Sequence, residues 1–194
     1  MKLIVTLIRG FLGVNRFGSR AINHLLPIRF TVDGNNFSDR DHTEEIQQGQ
    51  NIWDIGGGSQ PVISQQKKVD LALTITGLDI SEDEQLAAPK GVYEKIVVAG
   101  LGSYVDEASA DIVICQATLE HVPDTSGAIR AMPTILKPGG KALIFAPCRN
   151  TVFARLNLGL PKIWKKKLLY FVSPEVEEHQ GLPAHYDRCT PREI

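Results

Sequence analysis

Three consecutive glycines and two aspartates are the residues of this chain that most clearly point to chemistry. Asp54 lies in the apolar run Asn51–Ile55, which leads directly into Gly56–Gly58, and the next apolar run ends in Asp79 and Ile80. Glycines let a backbone approach a ligand closely, and the N–H groups that open a helix attract electron-rich groups. A carboxylate at the end of the neighbouring strand can accept hydrogen bonds from both hydroxyls of a ribose. The pattern predicts a nucleoside-containing cofactor at the carboxyl edge of a parallel sheet.

The spacing of the glycines bears on which nucleoside is bound. A dinucleotide-binding loop has the pattern G-x-G-x-x-G, and counting from Gly56 gives Gly58 but then Pro61 in the third position. The third glycine allows close packing of the helix on the strand, so its absence disfavours a nicotinamide cofactor. A Tyr-x-x-x-Lys pair is also missing near the expected fourth and fifth strands. A nicotinamide-dependent oxidoreductase therefore remains only a less favoured alternative.

The elements that must position these residues alternate along the chain. Apolar runs that are typical of strands occupy Asn51–Ile55, Leu71–Ile80, Tyr93–Ala99, Ala110–Gln116 and Lys141–Ala146. Helices are predicted between them over Pro61–Val69, Ser81–Ala88, Val105–Ala108 and Thr125–Leu136. We expect Pro61 in a first helical turn, Ser81 as an N-cap, and Pro138-Gly139-Gly140 to end the fourth helix. The alternation predicts an α/β fold with a doubly wound, mostly parallel sheet.

Four motifs follow one another in a fixed order. They are DIGGG at Asp54–Gly58, LDI at Leu78–Ile80, DIVICQATLEHV at Asp111–Val122 and LKPGGKALIF at Leu136–Phe145. Together they resemble the class I S-adenosylmethionine-dependent methyltransferases, of the type 11 domain kind. The resemblance implies a Rossmann-like sheet with strand order 3-2-1-4-5 and S-adenosyl-L-methionine as cofactor. It implies cofactor contacts from Asp54, Gly56, Gly57, Gly58, Asp79, Ile80, Gly100, Leu101 and Gln116.

The chain departs from that family at the loop and after the third strand. Gln60 stands where the family loop often has a third glycine. The family usually has an acid after the third strand that binds the adenine amino group, but the stretch Ala99–Ser103 contains none. We expect backbone groups near Gly100 and Leu101 to bind the adenine instead.

The resemblance also sets expected domain boundaries. Residues 1–50 are predicted to form a helical segment, residues 51–147 the cofactor-binding core, and residues 148–194 a helical insertion or lid. Thr190 and Glu193 have the spacing of a capping box, so a helix is expected to start at the end of the chain. The family sheet has seven strands, and we expect this chain to be truncated before the last two. Its fifth strand would then be an open edge suited to a homodimer.

The catalytic demands of methyl transfer are small. Orientation of the acceptor does most of the work, and a general base is needed only where the nucleophile begins protonated. His121 follows the fourth strand and is the candidate base, although the favoured interpretation is that it braces the turn, and Glu120 has the same two interpretations. A metal is not expected, because Cys115, Cys148 and Cys189 form no CxxC pair and the histidines show no ligand spacing.

Charge and composition constrain the partners. The chain has a net charge of −1, so nucleic acid is not an expected partner, and it has no apolar run of about 18 residues that could span a membrane. Residues 1–32 carry five basic residues and no acid, and lysines cluster within Lys162–Lys167. These segments either pack on the domain or contact the surface of a membrane. The protein is expected to be cytoplasmic. The acceptor is expected to be a small or amphiphilic molecule, and a non-catalytic binding module is the main alternative.

Overall fold

The computed structural model describes residues 42–105, 108–159, 184–190 and 192–194, together with scattered residues between 10 and 25. The chain divides into two compact units, Met1–Asp41 and His42–Ile194. In the first unit, the described residues are helical or lie in a turn. Within the described residues, no helix is both long and apolar enough to cross a membrane. All features discussed below belong to the second unit.

A five-stranded parallel sheet forms the centre of the second unit. Its strands lie in the order β3-β2-β1-β4-β5, and every neighbouring pair is parallel. The strands are β1 (Asn51–Ile55), β2 (Thr74–Asp79), β3 (Lys95–Val98), β4 (Ala110–Gln116) and β5 (Leu136–Phe145). The predicted α/β fold and strand order are therefore confirmed. Because β1 and β4 are neighbours although β2 and β3 intervene in the chain, their carboxyl ends form the switch point at which such sheets bind ligands.

Five α-helices accompany the sheet in the described part of the unit. They are α1 (His42–Glu45), α2 (Gln65–Asp70), α3 (Glu82–Leu86), α4 (Thr125–Ile135) and α5 (Val152–Gly159). Short 3-10 helices occupy Leu101–Ser103 and Leu119–His121. Side-chain caps start three of the helices, because Ser64, Ser81 and Asp124 accept hydrogen bonds from N–H groups three residues on.

Three local predictions were wrong. Helix α2 begins at Gln65 rather than at Pro61, because Ser64 provides the N-cap. Neither Val105 nor Ala108 is helical. The Pro-Gly-Gly segment does not precede β5 as a turn, because the strand already begins at Leu136. Between the pairs Ala110–Leu136 and Ile112–Lys141, β5 advances by five residues while β4 advances by two. The extra residues form a bulge that includes Gly139 at a φ of 84°.

Both faces of the inner strands of the sheet are buried. Trp53 and Ile55 of β1 join α4 in one apolar cluster, while Ile52 joins the cluster on the opposite face. This alternation explains why β1 and β4 read as nearly continuous apolar runs in the sequence. Asp54 has the parity of Ile52, so it is a carboxyl group that lies among apolar side chains on the second face.

Candidate cofactor site

The first glycine of the loop is required by packing within the protein. Gly56 has a φ of 72°, and a Cβ atom there would lie 2.3 Å from Cγ2 and Oγ1 of Thr118. The Thr118 hydroxyl is itself fixed, because it lies 3.1 Å from the carbonyl oxygen of Ile55 and 3.0 Å from that of Gln116. A larger residue at position 56 would therefore collide with the loop after β4 before it reached any cofactor.

The other two glycines bring the loop over Asp54 and towards Asp79. A Cβ at Gly57 would lie 2.4 Å from Oδ2 of Asp54 and 2.7 Å from the hydroxyl of Tyr93. Gly58, at a φ of 48°, is more open, since its nearest neighbours would be Cβ of Glu84 at 3.4 Å and Oδ2 of Asp79 at 3.5 Å. The loop thus approaches the second aspartate as the glycine spacing predicts.

Asp79 closes β2 in a half-buried position. Its Oδ1 accepts a hydrogen bond of 3.0 Å from the N–H of Ser81, which fixes the carboxylate at the start of α3. Its backbone carbonyl accepts a bond of 2.9 Å from the N–H of Ala99. Oδ2 is the oxygen that faces Gly58. Ile80 follows and is 60% exposed, so an apolar surface adjoins the carboxylate.

Asp54 is almost completely buried beneath the loop, with 1% of its surface exposed. Its Oδ2 accepts hydrogen bonds from the N–H of Val62 at 3.0 Å and from the hydroxyl of Tyr93 at 3.1 Å. Its Oδ1 is buried and has no hydrogen-bond partner in the described structure. Burial raises the pKa of this carboxyl to about 6, against the lowering effect of the two donors.

The predicted adenine side consists of a tight turn after β3. The carbonyl oxygen of Gly100 accepts hydrogen bonds from the N–H and the hydroxyl of Ser103, both at 3.1 Å. The side chain of Leu101 is 5% exposed and belongs to the apolar cluster with α4. Any contact of these two residues with a ligand would therefore be made by other backbone atoms, and it stays a prediction.

Gln116 ends β4 at the same edge of the sheet. Its side-chain oxygen Oε1 is buried without a hydrogen-bond partner among the described residues. The next residue, Ala117, has a φ of 52°, which turns the chain sharply into the segment that carries Thr118. Two orphaned buried oxygens, on Asp54 and Gln116, therefore lie at the carboxyl ends of the two central strands.

The candidate base lies one turn further along. His121 ends the 3-10 helix Leu119–His121, and its Nε2 is 4.0 Å from Oε1 of Glu120. Glu120 is 5% exposed, its Oε2 has no hydrogen-bond partner in the described structure, and burial raises its pKa. Glu120 and His121 therefore form an acid–imidazole pair after β4.

The end of the chain packs against this pair. The backbone N–H groups of His185 and Tyr186 donate to the carbonyl oxygen of Glu120 at 2.7 and 2.9 Å. Asp187 accepts hydrogen bonds from the N–H and the hydroxyl of Thr125 at the start of α4. His185 thus supports Glu120 through its backbone. Residues 160–183 all lie outside the described residues.

Two residues that the sequence analysis missed organise the site. Tyr93 donates to Asp54 from 39 positions away, and Thr118 packs against Gly56 from 62 positions away. Tyr93 belongs to a run predicted as a strand and Thr118 to the motif Asp111–Val122, but neither pattern predicts a contact with a residue so distant in the sequence. Within the ranges that the structure describes, no group of three or more metal-ligating acid, histidine or cysteine side chains occurs.

The residues present fit S-adenosylmethionine. Asp79 presents a carboxylate oxygen beside the glycine loop, where ribose hydroxyls can donate to it. The orphaned Oδ1 of Asp54 and Oε1 of Gln116 are buried acceptors that require donors, and a ligand with an ammonium group and hydroxyls supplies them. The cofactor's nucleoside and amino-acid ends thus both find suitable groups on this edge.

Comparisons with known proteins agree with this geometry. Residues 53–144 match the family described as "Methyltransferase domain". The chain is 34% identical over 128 residues to the ubiquinone biosynthesis O-methyltransferase of Albidiferax ferrireducens, covering 61% of this chain and 42% of that protein. It is also 34% identical over 109 residues to the enzyme of the same name from Thiobacillus denitrificans, covering 53% of this chain and 46% of that protein. The chain thus spans less than half the length of these relatives.

Solved structures show the same fold. YjhP of Escherichia coli superposes with a TM-score of 0.51 at 24% identity, covering 66% of this chain and 57% of that one. A candidate methyltransferase of Bacillus halodurans superposes with a TM-score of 0.50 at 16% identity, covering 72% of this chain and 68% of that one. These structures show the fold, and the family match identifies residues 53–144 as a class I S-adenosylmethionine-dependent methyltransferase domain, whose cofactor is S-adenosyl-L-methionine.

Proposed function

We propose that the protein transfers the methyl group of S-adenosylmethionine to an oxygen atom of a hydroxylated aromatic ring of the quinone-precursor type. The relatives to which it is 34% identical over the aligned residues are named as O-methyltransferases of ubiquinone biosynthesis. Those enzymes support an oxygen nucleophile and an amphiphilic acceptor for this chain.

The observation that carries the proposal is the meeting of Gly58 and Asp79 at the carboxyl edge of the sheet, with the Glu120–His121 pair after β4. The first two position a nucleoside, because Oδ2 of Asp79 lies 3.5 Å from where a Cβ at Gly58 would be. The pair supplies an imidazole at the end of the strand next to β1. Cofactor binding and proton removal are thus assigned to neighbouring strand ends.

Each residue of the site has one role in the proposed mechanism. The bound cofactor supplies an activated methyl group on a sulfonium. Asp79 would accept hydrogen bonds from the ribose hydroxyls, and the loop Gly56–Gly58 would hold the cofactor beside this carboxylate. A phenol has a pKa near 10, so it needs a base at neutral pH. His121 accepts that proton at Nε2, and the carboxyl of Glu120 stabilises the imidazolium 4.0 Å away.

The test is a methylation assay with a panel of catechols and matched aromatic amines, read by mass spectrometry. We expect methyl ethers from the catechols and no N-methyl product. His121→Gln should lower kcat by about a hundredfold or more, the contribution typical of a general base. His185→Gln is the matched control, because His185 contacts Glu120 through its backbone N–H. Methylation of amines alone, or full activity in His121→Gln, would contradict the proposal.

Other predictions about partners stay open. The lysine cluster Lys162–Lys167 lies outside the described residues, as do all five of the lysine and arginine residues of the segment 1–32. Among the described strands, β5 pairs only with β4, so the homodimer predicted through its free edge remains a prediction. Light scattering on the purified chain would decide it, since a monomer at micromolar concentration would rule it out.

A further inference from the structure

A single phenol group connects the glycine loop to the strands beneath it. The hydroxyl of Tyr93 lies 3.1 Å from Oδ2 of Asp54 and 3.5 Å from the carbonyl oxygen of Gly58. Its ring packs flat against β2, with ring carbons 3.1–3.2 Å from where a Cβ at Gly77 would be. Tyr93 is half-buried, and Val92 before it is fully buried, so the side chain has little freedom to move away.

The consequence for Asp54 is an asymmetric carboxyl group. Both of its protein donors, the N–H of Val62 and the hydroxyl of Tyr93, bind Oδ2. Oδ1 is left buried and without a partner. A buried, unpaired carboxylate oxygen is costly, and it is a strong acceptor for any cation that reaches it.

We propose that Tyr93 is a positioning residue for cofactor binding: it fixes Asp54 through Oδ2 so that Oδ1 remains available, in its anionic form, to accept a hydrogen bond from the ammonium group of S-adenosylmethionine. This inference rests on the proposed function, because it requires that the cofactor binds at this edge. It goes beyond it by assigning a role to a residue outside the sequence motifs.

Protonation of Asp54 links this geometry to pH. The ionisable groups whose interactions with Asp54 matter here are Tyr93, before β3, Asp79 at the end of β2, and Cys115 of β4. Burial and the charge of Asp79 favour the protonated carboxyl, whereas the Tyr93 hydroxyl favours the carboxylate. An ammonium group at Oδ1 would favour the carboxylate further, so binding near pH 6 must expel a proton from the fraction of Asp54 that is protonated.

The experiment is calorimetric titration with S-adenosylhomocysteine, which carries the same ammonium group. Titrations at pH 6 and pH 8, each in two buffers of different protonation enthalpy, give the number of protons released. The wild-type protein should release about half a proton at pH 6 and less at pH 8. In Tyr93→Phe, proton release should occur at higher pH, because the hydrogen bond that favours the Asp54 carboxylate is lost. The affinity of this variant for S-adenosylhomocysteine at pH 7 should fall about three- to tenfold and recover near pH 8.5. Asp54→Asn should show no such release at pH 6.

Tyr104→Phe is the matched control. Tyr104 packs against Trp53, and the centroids of the two rings are 5.5 Å apart. Trp53 is the neighbour of Asp54 in β1, and its side chain lies on the opposite face of the sheet. Removal of the Tyr104 hydroxyl should leave unchanged the number of protons released when S-adenosylhomocysteine binds. A Tyr93→Phe protein that loses affinity equally at all pH values, or that keeps the wild-type release, would overturn the inference. Absence of any binding to a folded wild-type protein would overturn the proposed function as well, and so the two failures are distinguishable.

Discussion

Burial of Asp54 lowers the stability of the folded protein at a position that is assigned to cofactor binding. Asp54 is a carboxyl group with 1% of its surface exposed, and burial raises its pKa to about 6 from an unfolded value near 3.9. The folded protein therefore binds this proton more tightly than the unfolded chain does. Stability falls as the pH rises from about 4 to 6, and the full cost, about 3 kcal/mol, is present above pH 6.

Replacement of Asp54 by asparagine should therefore stabilise the protein when no ligand is bound. We expect Asp54→Asn to raise the melting temperature by several degrees at pH 8, because no buried charge remains. The gain should shrink towards pH 5, where the wild-type carboxyl is already largely protonated. Thermal unfolding at the two pH values measures this, and an equal or larger gain at pH 5 would contradict the assigned pKa.

Asp79 differs from Asp54 because its carboxylate is half-buried and faces the loop. Asp79→Ala should weaken binding of S-adenosylhomocysteine by about 2–4 kcal/mol, the value of one or two charge-assisted hydrogen bonds. Asp83→Ala, which removes an exposed acid from the adjoining helix α3, serves as the control for net charge. If both variants bind alike, the ribose is not bound by Asp79.

At the scale of elements, the glycine loop and the segment after β4 form one packed unit. Gly56→Ala places a methyl group 2.3 Å from the Thr118 side chain at a φ of 72°. We expect a loss of about 2–5 kcal/mol of folding free energy, from the left-handed backbone and the overpacking together. Urea denaturation measures it.

The comparison variant is Gly58→Ala. Position 58 has a similar positive φ, but the nearest atom to its Cβ is 3.4 Å away. It should lose only the backbone contribution, about 1–2 kcal/mol. Equal losses at positions 56 and 58 would show that Thr118 can move aside at little cost.

The elements also show what the sequence could and could not predict. Strands β1 and β4 were predicted to the residue, because both are apolar runs bounded by polar or glycine residues. Helix α2 was misplaced because Pro61 suits a first helical turn, whereas the N-cap of Ser64 decides where the helix begins. The bulge of β5 was missed because Pro-Gly-Gly indicates a turn in isolation, and only pairing with β4 keeps it within a strand.

For the molecule as a whole, the family resemblance was sufficient to predict the sheet order, and the spacing of the glycines and aspartates was sufficient to predict that the loop approaches Asp79. The alternation of strands and helices restricts the topology strongly, since parallel strands need crossover helices. The interior of the site was not predictable in this way. The Tyr93–Asp54 bond and the Thr118–Gly56 contact join distant positions, and they exist only because the sheet places β1 between β2 and β4.

The edge formed by Asp54, Gly58 and Asp79 is thus assigned as the site for S-adenosylmethionine. The most direct test of this assignment is calorimetric titration of the purified chain with S-adenosylhomocysteine, with NADH as the control ligand. We expect one-to-one binding in the micromolar range for S-adenosylhomocysteine and no heat above dilution for NADH. A folded protein that binds NADH, or that binds neither ligand, would contradict the assignment.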